Sequence, residues 1–221
     1  MITSSLLSEV SSVIHGFGTS KKKQADFVLA DFQKHPRWKQ NHGISLETVS
    51  VPGQECGEVD ALYSEKAGIP ISVITADCVP ILMTQKDGSS VLAVHAGWRG
   101  TKSRILPKVW RYLSDQGQHP ENWLAAIGPC IGPCCFEVSE DLAEEFCSLW
   151  KSIDPKIVVP RLRHLNLASI HEWELQEIGI KKVDVIQKCT FCTRDASSYL
   201  FESYRRDGLT VRQWSSIMRL Y

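Results

Sequence analysis

A cysteine and a histidine that strand geometry can bring together are the most chemically loaded residues of this chain. Cys78 lies in Thr75-Ala76-Asp77-Cys78-Val79-Pro80, and His95 opens His95-Ala96-Gly97-Trp98-Arg99-Gly100-Thr101. If the two stretches end partner strands of a hairpin, thiolate and imidazole meet. Such a pair suits a zinc or copper site, or a nucleophilic couple in which the imidazole activates the thiol. A buried inert cysteine beside a hydrogen-bonded histidine fits the same residues, since free cysteine is commonly buried.

The turn after His95 adds a candidate anion site. Gly97 and Gly100, followed by a helix start at Thr101, would expose backbone N–H groups. The Arg99 guanidinium can grip a phosphate or carboxylate through two parallel hydrogen bonds, although a plain turn with Arg99 in water fits equally. Ser203-Tyr204-Arg205-Arg206-Asp207-Gly208 offers two more guanidinium groups for phosphate or substrate, or an exposed ion-paired turn. Cys189-Thr190-Phe191-Cys192 is a CxxC, but a structural zinc needs two further ligands and no second CxxC exists. Gly128-Pro129-Cys130-Ile131-Gly132-Pro133-Cys134-Cys135 superficially resembles the zinc deaminases, which pair H-x-E with P-C-x-x-C. Here the cysteines are one residue further apart and His95 leads into Ala-Gly, so the acid/base glutamate is missing. Neither a Walker A loop nor a GxGxxG is present.

The surrounding pattern predicts elements able to position these groups. Ile71–Thr75 and Val79–Met83 read as strands, and Asp87-Gly88 is a hairpin signal before a returning strand over Ser90–His95. Thr101 is the expected N-cap of a helix carrying Ile105, Val109 and Tyr112 or Leu113, with Gly117 as its stop. Leu124–Ile127 predicts another strand. Ser139 predicts a helix start running to about Trp150, with Glu140 and Asp141 in its first turn. Asn166 opens a further helix that Gly179 closes. Val183–Ile186 and Leu209–Leu220 supply the remaining strands. Hairpin and helical connections together predict a mixed sheet and the α+β class, in one domain over residues 1–221.

Composition narrows the partners. With 25 basic and 25 acidic residues in 221, no basic excess supports a nucleic-acid footprint. The longest apolar runs are far short of the ~20 residues that span a bilayer. The N-terminal stretch carries Glu9 and His15 with no basic start before an apolar run, so a secretory signal is not expected and a cytoplasmic location is. Eight cysteines, at 56, 78, 130, 134, 135, 147, 189 and 192, in a chain with a full core's worth of apolar residues, read as reduced thiols rather than a disulfide frame.

Taken in order, several stretches resemble one family. They are Gln40-Asn41-His42-Gly43, Ala76-Asp77-Cys78-Val79-Pro80, His95 to Thr101, Ile127-Gly128-Pro129 with Phe136-Glu137-Val138, and Ser203 to Gly208. His15-Gly16-Phe17-Gly18-Thr19 is similar in kind. The chain is identified by them as a member of the multicopper polyphenol oxidoreductase (laccase-domain) family, also known as purine nucleoside phosphorylase/adenosine deaminase, with a peptidoglycan editing factor branch. Asn41 departs from the small apolar residue usual there.

The resemblance implies a metal, zinc or alternatively copper, held by His42, Cys78 and His95. His42 enters by resemblance alone, because a lone histidine in a loop carries no signal of its own. It also implies two mixed sheets packed between helical layers, similar to the cytotoxic necrotizing factor toxins, which hydrolyse amides with a Cys/His pair. The leading function implied is phosphorolysis of adenosine, inosine and methylthioadenosine to base and ribose 1-phosphate, plus adenosine deamination. In it His42, Cys78, His95 and Arg99 are catalytic, and Arg99, Arg205 and Arg206 are candidates for phosphate. The alternatives are a Cys/His amidase editing cell-wall precursors, a copper polyphenol oxidase, and a non-enzymatic binding protein with a structural metal. The expected partners are small molecules, purine nucleosides and phosphate; the oligomeric state is left open.

Overall fold

Two apolar runs, Ile71–Thr75 and Val79–Gln85, are separated only by Ala76-Asp77-Cys78, yet they enter different sheets. The computed structural model describes residues 1–221. In chain order its strands are β1 (Val13–Phe17), β2 (Arg37–Lys39), β3 (Leu46–Thr48), β4 (Glu55–Glu58), β5 (Ala61–Ser64), β6 (Ile71–Thr75) and β7 (Val79–Gln85). There follow β8 (Val91–Ala96), β9 (Trp123–Ile127), β10 (Lys182–Val185), β11 (Arg194–Asp195), β12 (Ser198–Tyr199) and β13 (Gln213–Arg219). The helices are α1 (Asp26–Ala30), α2 (Trp98–Lys102), α3 (Ile105–Asp115), α4 (Glu140–Leu149), α5 (Pro155–Val158), α6 (Leu167–Ile178) and α7 (Tyr204–Asp207).

A six-stranded mixed sheet has the order β10-β9-β7-β8-β5-β3, parallel only at its two ends. A three-stranded antiparallel sheet, β1-β13-β6, packs on one of its faces. Leu82, Ala93, Leu124 and Ala126 of the larger sheet meet Ile71, Val73 and Ile217 of the smaller one. On the opposite face Ile81, Met83, Val94 and Ala125 pack under α3, α4 and α6. Covered on both sides, β7, β8 and β9 are apolar almost without alternation. The α3 residues Ile105, Leu106, Val109 and Leu113 are all buried, each worth roughly 1.5–3 kcal/mol of apolar burial. This is the α+β, sheet-on-sheet architecture expected. Two small pairs, β2-β4 and β11-β12, complete the strands.

The hairpin forms where Asp87-Gly88 predicts it, with Gly88 at φ 71. Its register sets Val79 opposite Ala96 and Pro80 opposite His95. Ser139 caps α4 by accepting from Leu142 N at 3.3 Å, Asn166 caps α6, and Gly179 ends α6 at φ 109. The helix after His95 differs from expectation. Gly97, not Thr101, is the N-cap; a short α2 follows, and Arg104 at φ 62 breaks the chain before α3 begins. Thr101 lies inside α2, its hydroxyl bonded to Gly97 O at 3.0 Å and to His171 Nε2 at 2.8 Å. No helix is long and apolar enough to cross a membrane.

Candidate metal centre

Cys78 stands at the corner where the chain leaves one sheet for the other, one residue before β7. His95 is the penultimate residue of β8, so the hairpin register brings it alongside. His42 arrives from a separate loop. The donor atoms of the three lie within 4.8 Å of one another, and the rings of His42 and His95 meet edge to face with centroids 4.8 Å apart. His95 is buried, Cys78 half-buried and His42 exposed. The centre therefore has a protein side and a solvent side.

The His42 loop is fixed by contacts distant in sequence. The Gln40 side chain copies a strand, accepting from Ile74 N at 2.7 Å and donating to Ile74 O at 2.8 Å. His42 itself sits at φ 61, a conformation few non-glycine residues adopt. The buried Asp60 stabilises it. Its carboxylate accepts from His42 N at 3.1 Å and Gly43 N at 2.7 Å, while Oδ1 also lies 2.7 Å from His95 Nδ1. Donating Nδ1–H to Asp60 leaves His95 Nε2 free as the ligand atom, the usual arrangement behind a metal-binding histidine. Sequence reading missed Asp60. The available signal was an acidic residue inside the apolar run Val59-Asp60-Ala61-Leu62-Tyr63, where charge is rarely buried unpaired.

Asp77, at φ 93, secures the Cys78 corner. It accepts from Thr190 Oγ1 at 2.6 Å, Ser203 Oγ at 3.0 Å and Arg205 N at 2.7 Å. Gly97 completes the close packing: a Cβ there would stand 2.9 Å from Cys78 Sγ and 3.0 Å from His42 Cδ2. Behind α2, Thr101 bonds His171, His171 bonds Glu174, and Glu174 pairs with Arg104 and the Trp150 indole.

The electrostatics make the cysteine a thiolate. Burial opposes ionisation of Cys78, but the His95 and His42 imidazoles outweigh it and bring the thiol down to about 6. Burial also opposes the charged form of His95, yet Cys78 and Asp60 raise it to about 9. Asp60 stays below the usual carboxylate range despite its burial, held there by His95 and the loop N–H groups. Without metal the centre is a thiolate–imidazolium pair backed by a carboxylate. One soft sulfur and two imidazoles suit zinc or copper, and three ligands leave a coordination position open on the solvent side.

The three arginines have separate environments. Arg99 is exposed on α2 with its guanidinium 4.3 Å from the centroid of the Trp98 ring. Arg205 donates to Glu137 O at 3.0 Å and lies over Phe136. Arg206 donates to Asp207 and to the carbonyls of Thr190, Phe191 and Phe201. Those bonds use all five of its N–H donors, so Arg206 holds the loops together and has none to spare for phosphate. A surface hollow of about 630 Å³ beside α4 and α5 is lined by none of these residues.

Residues 21–220 match the family model described as multi-copper polyphenol oxidoreductase laccase. The chain belongs to this family. Among laccase-family relatives, purine nucleoside phosphorylase YfiH of Shigella flexneri is 33% identical over 197 residues, covering 86% of this chain and 76% of that protein. Adenosine deaminase RL5, from an unknown prokaryotic organism, is 33% identical over 167 residues, 73% of this chain and 62% of that protein. The fold matches the crystal structure of Bacillus licheniformis hypothetical protein YfiH with a TM-score of 0.83 at 23% identity, over 98% of this chain and 96% of that one.

Proposed function

We propose that this chain is a metal-dependent purine nucleoside enzyme. It cleaves adenosine, inosine and methylthioadenosine with phosphate to give the base and the corresponding sugar 1-phosphate (ribose 1-phosphate, or 5-methylthioribose 1-phosphate from methylthioadenosine), and deaminates adenosine with water to inosine and ammonia. His42, Cys78 and His95 are the ligands, zinc the preferred metal and copper the alternative. The observation that carries this reading is the convergence of those three donors on one half-open centre, in a chain one-third identical to relatives bearing the two enzyme names.

With a metal bound, the site gains Lewis acidity and a water acidic enough to ionise near neutral pH. The protein's own contribution is positional. Asp60 fixes the tautomer and ring plane of His95 through Nδ1 and locks the His42 loop through two backbone N–H groups. Gly97 keeps the space between Cys78 and His42 clear. Arg99, exposed two residues after Gly97 and stacked on Trp98, takes the phosphate for phosphorolysis, with Arg205 as a weaker candidate. The test is product analysis on adenosine with the zinc-loaded protein, with and without phosphate. Adenine plus ribose 1-phosphate in phosphate, and inosine in either condition, are the expected products. A zinc-loaded protein that leaves adenosine intact with and without phosphate would refute the reading.

A second reading rests on the thiolate–imidazolium pair. Cys78, His95 and Asp60 have the nucleophile, base and orienting carboxylate of a cysteine amidase, whose substrate would be an amide of a cell-wall precursor. Copper-based polyphenol oxidation is less well supported by the other histidines. His15 accepts from Ser4 N, His35 is bonded to Ser72 and Pro36 O, and His171 to Thr101 and Glu174.

A further inference from the structure

Four cysteines that the nucleoside chemistry does not use meet at a second place. Cys134 and Cys135 lie in the turn after Gly132-Pro133, and Cys189 and Cys192 in the loop that follows β10. Their sulfurs all lie within 4.8 Å of one another, Cys134 Sγ 3.6 Å from Cys192 Sγ. The CxxC thus finds two partners more than 50 positions upstream, from adjacent residues rather than from a second CxxC. The fold itself holds the two segments together. Cys130 and Cys189 form a parallel bridge, Thr190 N donates to Cys130 O at 2.9 Å, and Gly132 N points at Cys189 Sγ at 3.3 Å.

We infer that Cys134, Cys135, Cys189 and Cys192 form a tetrathiolate metal site, taking zinc as a structural ion. Zinc–sulfur bonds of about 2.3 Å in a tetrahedron place the sulfurs about 3.8 Å apart, close to the Cys134–Cys192 separation. A disulfide requires sulfurs about 2.05 Å apart, and all four cysteines are free. The backbone N–H of Gly132, directed at Cys189 Sγ, would stabilise negative charge on that sulfur. Cys134 and Cys192 are exposed, which gives the ion a way in.

The position of the site implies its purpose. Thr190, inside the CxxC, donates to Asp77 at 2.6 Å, and Arg206 ties Thr190 O and Phe191 O to the Phe201 and Asp207 segment. Asp77 precedes Cys78. A metal clamping Cys189 and Cys192 to Cys134 and Cys135 therefore fixes the loop against which the Cys78 corner rests. Four protein ligands close the coordination shell, so this ion is structural and not catalytic.

The test uses Cys78→Ala protein purified with zinc and reductant, in which the first centre is disabled. Elemental analysis should still find about one zinc per chain, and zinc-edge X-ray absorption an all-sulfur shell at about 2.3 Å. Cys189→Ser/Cys192→Ser in the wild-type background should lose that all-sulfur signal and lower Tm. Should the double variant fail to fold, thiol titration of the Cys78→Ala protein decides: four more thiols must become reactive when a strong chelator is added. Zinc-free Cys78→Ala protein, or a Cys134–Cys192 disulfide in freshly purified chain, would overturn the site. The result is independent of the nucleoside reading, which fails or stands on the His42–Cys78–His95 centre.

Discussion

Asp60 Oδ1 lies 2.7 Å from His95 Nδ1, and the same carboxylate accepts the backbone N–H groups of His42 and Gly43 at 3.1 and 2.7 Å. One buried side chain thereby orients two of the three candidate ligands, the first through its ring and the second through its backbone. Asp60→Ala should weaken zinc binding at this centre by about 10–100-fold, the usual cost of losing such a support. Chelator competition measures it, with the Cys78→Ala background subtracting any second site. Unchanged affinity would mean that Asp60 positions neither His95 nor His42 for the metal.

Gly97→Ala tests the closeness of the packing. Its Cβ would fall 2.9 Å from Cys78 Sγ and 3.0 Å from His42 Cδ2, closer than carbon atoms normally approach. The φ of Gly97 is −76, so alanine meets no backbone strain and only the sterics are probed. Nucleoside turnover and metal at this centre should be lost while circular dichroism stays native. An active, zinc-loaded variant would show that the space between Cys78 and His42 is wider than a methyl group.

How much of this was legible in sequence depended on range. The β7–β8 hairpin was readable because its apolar runs and Asp87-Gly88 are local signals, and Cys78 and His95 came with it. His42 was not: its placement depends on Gln40 bonding Ile74 and on Asp60, contacts between loops and strands far apart in the chain. Thr101 misled because a good cap residue has other uses; here its hydroxyl joins α2 to His171. A CxxC without a second pair carries little zinc signal, and nothing local announces that Cys134 and Cys135 fold back onto it.

Two buried histidines predict acid sensitivity. Burial outweighs their hydrogen bonds and lowers both His15 and His35 from 6.5 to about 4. The native state keeps them neutral while the unfolded chain protonates them, so stability is full above pH 6.5 and is lost as pH falls towards about 4. At about 1.4 kcal/mol per pKa unit, each contributes on the order of 3 kcal/mol at most. Urea midpoints across that interval should fall with acidification, and less steeply in His35→Gln. A flat profile would show that neither histidine is held neutral.

Arg99→Ala should impair phosphorolysis more than deamination, because only phosphorolysis requires a bound phosphate. The guanidinium lies on Trp98 rather than in an ion pair, which leaves its donors available. Parallel assays of adenine and inosine release from adenosine measure the split, expected as a raised KM for phosphate. Equal losses in both reactions would place Arg99 on the nucleoside or on the fold instead.

His42 separates the metal enzyme from the cysteine amidase. Both need Cys78 and His95, so mutating either residue says little. A metal centre requires His42 as its third ligand, whereas a thiolate backed by His95 and Asp60 does not. His42→Ala should therefore abolish turnover of adenosine, and a strong chelator should do the same to the wild type, reversibly on adding zinc. Alkylation supplies the complementary measurement. In metal-free protein the Cys78 thiol, at about 6, should react with a rate that rises through that pH and levels off above it, well below an ordinary thiol's midpoint. Zinc-loaded protein should react slowly at every pH, since a coordinated thiolate is masked. Rapid alkylation of Cys78 in the zinc-loaded chain, together with full activity in His42→Ala, would remove the metal from the reaction and make the amide-hydrolysing triad of Cys78, His95 and Asp60 the working site.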